Sequence, residues 1–102
     1  MRSYLISDNM DTFVGMQMAG IEGVVLYEKE QIIEKIRELK MDKGIGIIII
    51  TEKIGLLISS EVRNIKLSKE GPLLVEIPDR HGLKRSSEYI LKYVKDAIGI
   101  KI

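Results

Sequence analysis

The side chains best placed to do chemistry are Asp8 and Asp11, Thr51 and Glu52, and Asp79 and His81. Each pair follows an apolar run: Tyr4-Leu5-Ile6, Ile45 to Ile50, and Leu73 to Ile77. If these runs are strands of one parallel sheet, the pairs gather at its carboxyl end, where open α/β sheets hold ligands. Carboxylates grouped in this way could hold magnesium and accept a phosphoryl group. That reaction needs an aspartate at the end of the third strand, and Thr51-Glu52 stands there instead. It also needs a lysine near a fifth strand, and a chain of 102 residues has no room for one. The competing role for these residues is helix N-capping and solvated loop charge. The set is incomplete as a phosphoacceptor site.

Other chemistries have less support. His81 is the only histidine, and no nucleophile signature flanks Ser59, Ser60, Ser86 or Ser87. Gly44-Ile45-Gly46 precedes a strand, whereas a dinucleotide fingerprint follows a strand and opens a helix. There is no Gly-x-x-x-x-Gly-Lys-Ser/Thr loop to cradle phosphate. No catalytic set, metal site or cofactor is expected. Met10, Met16 and Met18 cluster around the first helix; methionine makes adaptable contacts, although filling a core is its commoner role.

The elements that position these residues follow from apolar periodicity. Tyr4-Leu5-Ile6 reads as the first strand. Asp11-Thr12 can cap a short helix that runs to Ala19 and stops at Gly20. Gly23 to Tyr27 is the second strand, rich in β-branched residues. Glu28 to Lys40 is a helix with Ile32, Ile33, Ile36 and Leu39 on one face. Ile45 to Thr51 is the third strand; its run of isoleucines has no polar face, as in the middle of a parallel sheet. A third helix spans Glu52 to Ile65, with Ile54, Leu57, Ile58, Val62 and Ile65 inward. Leu73 to Ile77 is the fourth strand, and Glu76 within it suits an edge. Strands that alternate with helices predict right-handed crossovers and a four-stranded parallel sheet of order 2-1-3-4.

A last helix begins near Ser86. Tyr89, Ile90, Tyr93, Val94, Ala97 and Ile98 share a face that Leu91 widens, and Glu88, Lys92, Lys95 and Asp96 fill the remaining arc. This apolar arc is wider than one packed face requires. An exposed apolar strip commonly meets a partner. The chain therefore reads as one domain: an α/β core over residues 1–77, then a loop and a C-terminal helix over residues 78–102.

Composition limits the function classes further. Lys plus Arg total 16 and Asp plus Glu total 15, a net charge of +1. That gives no basic stripe for nucleic acid. The absence of cysteine excludes disulfides and thiolate metal sites and fits a reducing compartment. The longest apolar run is far below a membrane span, and the N-terminal run is too short for a signal peptide. A soluble, cytoplasmic protein is expected.

Four segments together carry a resemblance to a family. They are Asp8-Asn9-Met10-Asp11-Thr12-Phe13-Val14-Gly15-Met16-Gln17-Met18-Ala19-Gly20-Ile21, Gly44 to Glu52, Pro72-Leu73-Leu74-Val75-Glu76-Ile77-Pro78-Asp79-Arg80-His81-Gly82, and Ala97 to Ile102. In this order they resemble the F subunits of the V/A-type rotary ATPases and ATP synthases, across essentially the whole chain. The chain departs from the family at Ser7-Asp8, where Gly-Asp is usual, and at Met16-Gln17-Met18, where Phe-Arg-Leu is usual. Arg80 and Leu83 stand where lysine and proline are frequent. The resemblance implies a shortened receiver-like or flavodoxin-like fold with a C-terminal helix. It also implies a non-catalytic central-stalk role: docking on the coiled-coil D subunit inside the ring of catalytic A and B subunits, peripheral to the membrane. The expected contact residues are Asp79, Arg80, His81 and Gly82 in the loop, and Tyr89, Tyr93, Val94 and Ile98 on the last helix. The competing expectation is a stand-alone receiver-like signalling or small-ligand-binding domain.

Overall fold

A computed structural model describes residues 2–78. Its elements are β1 (Arg2–Ser7), α1 (Met10–Met18), β2 (Glu22–Val25), α2 (Lys29–Met41), β3 (Ile45–Thr51), α3 (Glu52–Leu57), α4 (Ser59–Leu67) and β4 (Leu73–Ile77). The four strands form one parallel sheet of order β2-β1-β3-β4, as the alternation of strands and helices predicts. Leu5 pairs with Gly23 on one side and with Ile49 on the other, and Ile49 pairs in turn with Val75.

β3 lies between β1 and β4, and Ile47 to Ile50 are all buried. Alternation sends Ile48 and Ile50 to one face and Ile47 and Ile49 to the other. The first face packs on Ile32, Ile36 and Leu39 of α2 and on Ile54, Ile58, Val62 and Ile65 of the next two helices. The second gathers Leu5, Ile47, Ile49, Val75 and Ile77 with Met16, Phe13 and Ile21. The helices are thus unequally shared, with α2, α3 and α4 on one face and α1 on the other. Handedness explains the split: the chain moves outward from β1 to β2, then reverses toward β3 and β4, so the right-handed crossovers fall on opposite faces.

Three local readings change. The cap of α1 is Asn9, whose Oδ1 accepts from the Thr12 N–H at 2.8 Å. Asp11 and Thr12 were expected to cap, but they lie inside the first turn, and Thr12 is buried. β2 stops at Val25, two residues before Tyr27, whose side chain is exposed. The helix expected over Glu52 to Ile65 is broken at Ile58 (φ −119°, ψ 39°), which ends α3 and opens α4. The hydrogen bonds continue across the break, from Ile58 N–H to the Ile54 carbonyl and from Val62 N–H to the Ile58 carbonyl. The bend keeps Ile54, Ile58, Val62 and Ile65 on the sheet but turns Leu57 outward, to 43% exposure. Ser59 and Ser60, weak helix formers that favour helix starts, lie just past the bend.

The stop at Gly20 holds. Gly20 has φ 85°, its N–H donates to the Gln17 carbonyl, and Ile21 N–H donates to the Met16 carbonyl. This is the paired closure that a left-handed residue gives a helix end. At the far edge, β4 lies between Pro72 and Pro78, and its Glu76 accepts from Lys66 Nζ of α4 at 2.6 Å. On α2, the Lys35 ammonium lies 3.1 Å from Glu38 and 5.7 Å from the Tyr4 ring centre. The Glu38 hydrogen bond holds its pKa above the ordinary lysine value, against the pull of partial burial.

Ile48 is fully buried in the strand with neighbours on both sides. Ile48→Ala should cost about 2–5 kcal/mol of stability by leaving a cavity that this packed layer cannot close. Chemical denaturation read by circular dichroism checks this. A loss under about 1 kcal/mol would mean that the layer collapses around the gap.

Candidate functional site

The carboxyl end of the sheet is where the strand-end residues were expected to converge, and part of that set does meet. β1 delivers Ser7, Asp8 and Asn9, and β3 delivers Thr51. Ser7 is fully buried; its hydroxyl donates to the Asn9 carbonyl at 2.7 Å and accepts from the Asn9 N–H at 3.0 Å. The turn after β1 is therefore tied by a side chain at the position where the resemblance anticipates glycine.

Thr51 crosses the gap between the two central strands. Its hydroxyl donates to Asp8 Oδ1 at 2.6 Å and accepts from the Ile54 N–H, which caps α3. Asn9 Nδ2 donates to the same Asp8 oxygen at 3.3 Å. The β1–β3 junction is the point where chain direction reverses, and in an open α/β sheet it is the usual ligand crevice. Here one hydroxyl spans it. Among the described residues, no group of three or more His, Cys, Asp and Glu side chains could hold a metal ion. Asp11 and Glu52 are exposed, each on the first turn of its helix.

Beside this junction lies a cleft of about 450 Å³ lined by Asp8, Leu26, Tyr27, Ile32, Lys53, Ile54 and Leu57. Among these lining residues, Asp8 and Lys53 alone are charged. The mouth is apolar: Tyr27 is 68% exposed, and Leu57 and the adjacent Leu56 are also exposed. Among the described residues, the cleft lacks the converging donors that a phosphate needs, and its rim is apolar. The apolar rim was not legible in the sequence, because a continuous helix would have turned Leu57 inward. The Ser59-Ser60 pair was the available signal.

The remaining expected residues, Asp79, Arg80, His81, Gly82, Tyr89, Tyr93, Val94 and Ile98, lie outside the described residues. Of the three methionines in α1, Met16 is fully buried, while Met10 and Met18 are exposed. Core filling accounts for the first and not for the other two.

The sequence profile of the family described as ATP synthase (F/14-kDa) subunit matches residues 4–94. The chain belongs to the ATP synthase F-subunit family. Among similar proteins, the F subunit of the A-type ATP synthase of Methanococcus vannielii is 35% identical over 104 residues, covering 100% of this chain and 99% of its own length. The corresponding F subunit of Methanothermobacter thermautotrophicus is 34% identical over 94 residues, covering 90% and 88%. That of Methanocaldococcus jannaschii is 31% identical over 93 residues, covering 90% of each chain. The family match runs from within β1 through β4. Against the pattern that the resemblance gave for this family, Gln17 replaces an arginine on the exposed surface of α1. Among the described residues, no helix is long and apolar enough to cross a membrane.

The Thr51 hydroxyl carries both a β1–β3 tie and a helix cap. Thr51→Val, which keeps the shape, should lower stability by about 1–3 kcal/mol, and Thr51→Ser should restore most of it. Thermal unfolding of the two variants checks this; equal melting temperatures for valine and threonine would show that the tie contributes nothing.

Proposed function

We propose that this chain is a non-catalytic central-stalk component of an A-type rotary ATP synthase. In this reading it docks on the coiled-coil D subunit and turns with it inside the ring of catalytic A and B subunits. It braces the rotor and helps couple rotation to ATP synthesis or hydrolysis and ion transport. Its place is cytoplasmic, in the soluble stalk, peripheral to the membrane. The observation that carries the reading is the family match across residues 4–94.

The carboxyl end of the sheet is consistent with it. A phosphoacceptor domain needs a free acidic cluster at the β1–β3 junction, and Thr51 closes that junction onto Asp8. The contact residues in this proposal are the loop Asp79, Arg80, His81 and Gly82 together with Tyr89, Tyr93, Val94 and Ile98. A helix laid along a coiled coil recruits side chains spaced by three and four residues, and this segment has them.

The test is co-expression with the other subunits of the same organism's ATP synthase, followed by size-exclusion chromatography. Co-elution with the coiled-coil stalk protein alone is the expected result. A monomer that ignores that protein would overturn the stalk role and turn attention to magnesium and phosphoryl donors. Tyr93→Asp should weaken capture by the coiled-coil stalk protein while the circular dichroism spectrum of the isolated domain stays native. Undiminished capture removes Tyr93 from the interface, and an unfolded variant places it in the core.

A further inference from the structure

α3 and α4 lie end to end, with Ile58 alone between them. In one continuous helix, each N–H from Ile58 to Val62 would donate to the carbonyl four residues earlier. At the two limits of the break this happens, from Ile58 to Ile54 and from Val62 to Ile58. Among the described residues, the N–H groups of Ser59, Ser60 and Glu61 make no such bond to Gly55, Leu56 and Leu57. Ser59 and Ser60 are exposed, so water can satisfy them. The ladder is thus closed at both ends and open in the middle. Ile58 has ψ 39°, against about −42° in an α-helix, and rotation there would complete it.

The break bears directly on the cleft at the sheet end. α3 contributes Lys53, Ile54 and Leu57 to its lining; Leu26 and Tyr27 follow β2, and Ile32 belongs to α2. Leu57 stands on the rim, 43% exposed. Yet its spacing from Ile54, Ile58 and Ile65 would place it at the margin of the inward face of an unbroken helix, on the Lys53 side. That is the side on which the cleft lies. We propose that the α3–α4 break is a gate: joining the two helices turns Leu57 into the cleft and narrows it, and parting them opens it.

The two forms are held by opposing terms. The joined form gains the missing backbone bonds and the burial of Leu57. The parted form keeps Ile54, Ile58, Val62 and Ile65 seated on the sheet and leaves the unused N–H groups to water. Ser59 and Ser60 weight the balance toward the parted form, because serine favours helix starts over helix interiors. An apolar group that enters the cleft competes with Leu57 for the same space, so it also selects the parted form. The apolar rim of Tyr27, Leu56 and Leu57 is displayed in that form and reduced in the other.

This inference is independent of the stalk reading, and its test contains no partner protein. Ser59→Ala combined with Ser60→Ala, made in the full chain, raises helix propensity at two exposed positions. In the methyl-labelled double variant, nuclear Overhauser cross-peaks from Leu57 to Leu26 and Ile32 should strengthen severalfold over the parent chain. The amides of residues 59–61 should exchange with solvent severalfold more slowly, and binding of an apolar fluorescent dye should fall. Adding Leu57→Ala should keep the slow exchange and restore dye binding. Unchanged amide exchange in the double variant would overturn the proposal, because the helices then do not join. Slow exchange with unchanged Leu57 cross-peaks would overturn it as well, because the joined helix then leaves the cleft open. Dye binding that stays low after Leu57→Ala would remove Leu57 as the gate.

Discussion

Ile47 to Ile50 place four branched side chains on alternate faces of one strand, and both faces must then be kept from water. Most of the architecture follows from this requirement. β1 and β4 satisfy the backbone of β3 on either side, and the helices must cover the sheet above and below. Burying an isoleucine contributes on the order of 1.5–3 kcal/mol, so this strand holds a large share of the folding free energy of a small domain. Ile54, Ile58, Val62 and Ile65 keep to the sheet through a broken helix. The helix gives up continuity at Ile58 to preserve that contact.

The same strand ends at the residue that decides what the sheet end can do. Thr51 is the last residue of β3 and the cap of α3, and its hydroxyl reaches Asp8 across the junction. The packed strand thus brings one short polar side chain to the place where related architectures hold ligands, and there it makes internal bonds. The helix surfaces differ from this closed junction. Those surfaces carry apolar side chains that the core does not use: Met10 and Met18 on α1, and Tyr27, Leu56 and Leu57 around the cleft.

The sheet order and the boundaries of β3 and β4 were legible because long apolar runs bounded by glycine, proline and charge leave few alternatives. The helix break was not. Ile54, Leu57, Ile58, Val62 and Ile65 fit one helical face, and periodicity does not distinguish an unbroken helix from two turned slightly against each other. The cap at Asn9 was missed because Asn9, Asp11 and Thr12 can all accept from a backbone N–H, and only the path of the chain selects among them. Of the strand-end set, the meeting of Asp8 and Thr51 followed from topology. That Thr51 would donate to Asp8 depends on side-chain rotation, which residue spacing does not encode.

β2 and β4 are the edges of the sheet, and both are poor templates for strand addition. β2 has four residues, and β4 has five between Pro72 and Pro78, with Glu76 held by Lys66. An incoming strand would gain few backbone bonds and would meet prolines at either limit and charge between them. The described sheet therefore offers little at either edge from which an ordered aggregate could grow.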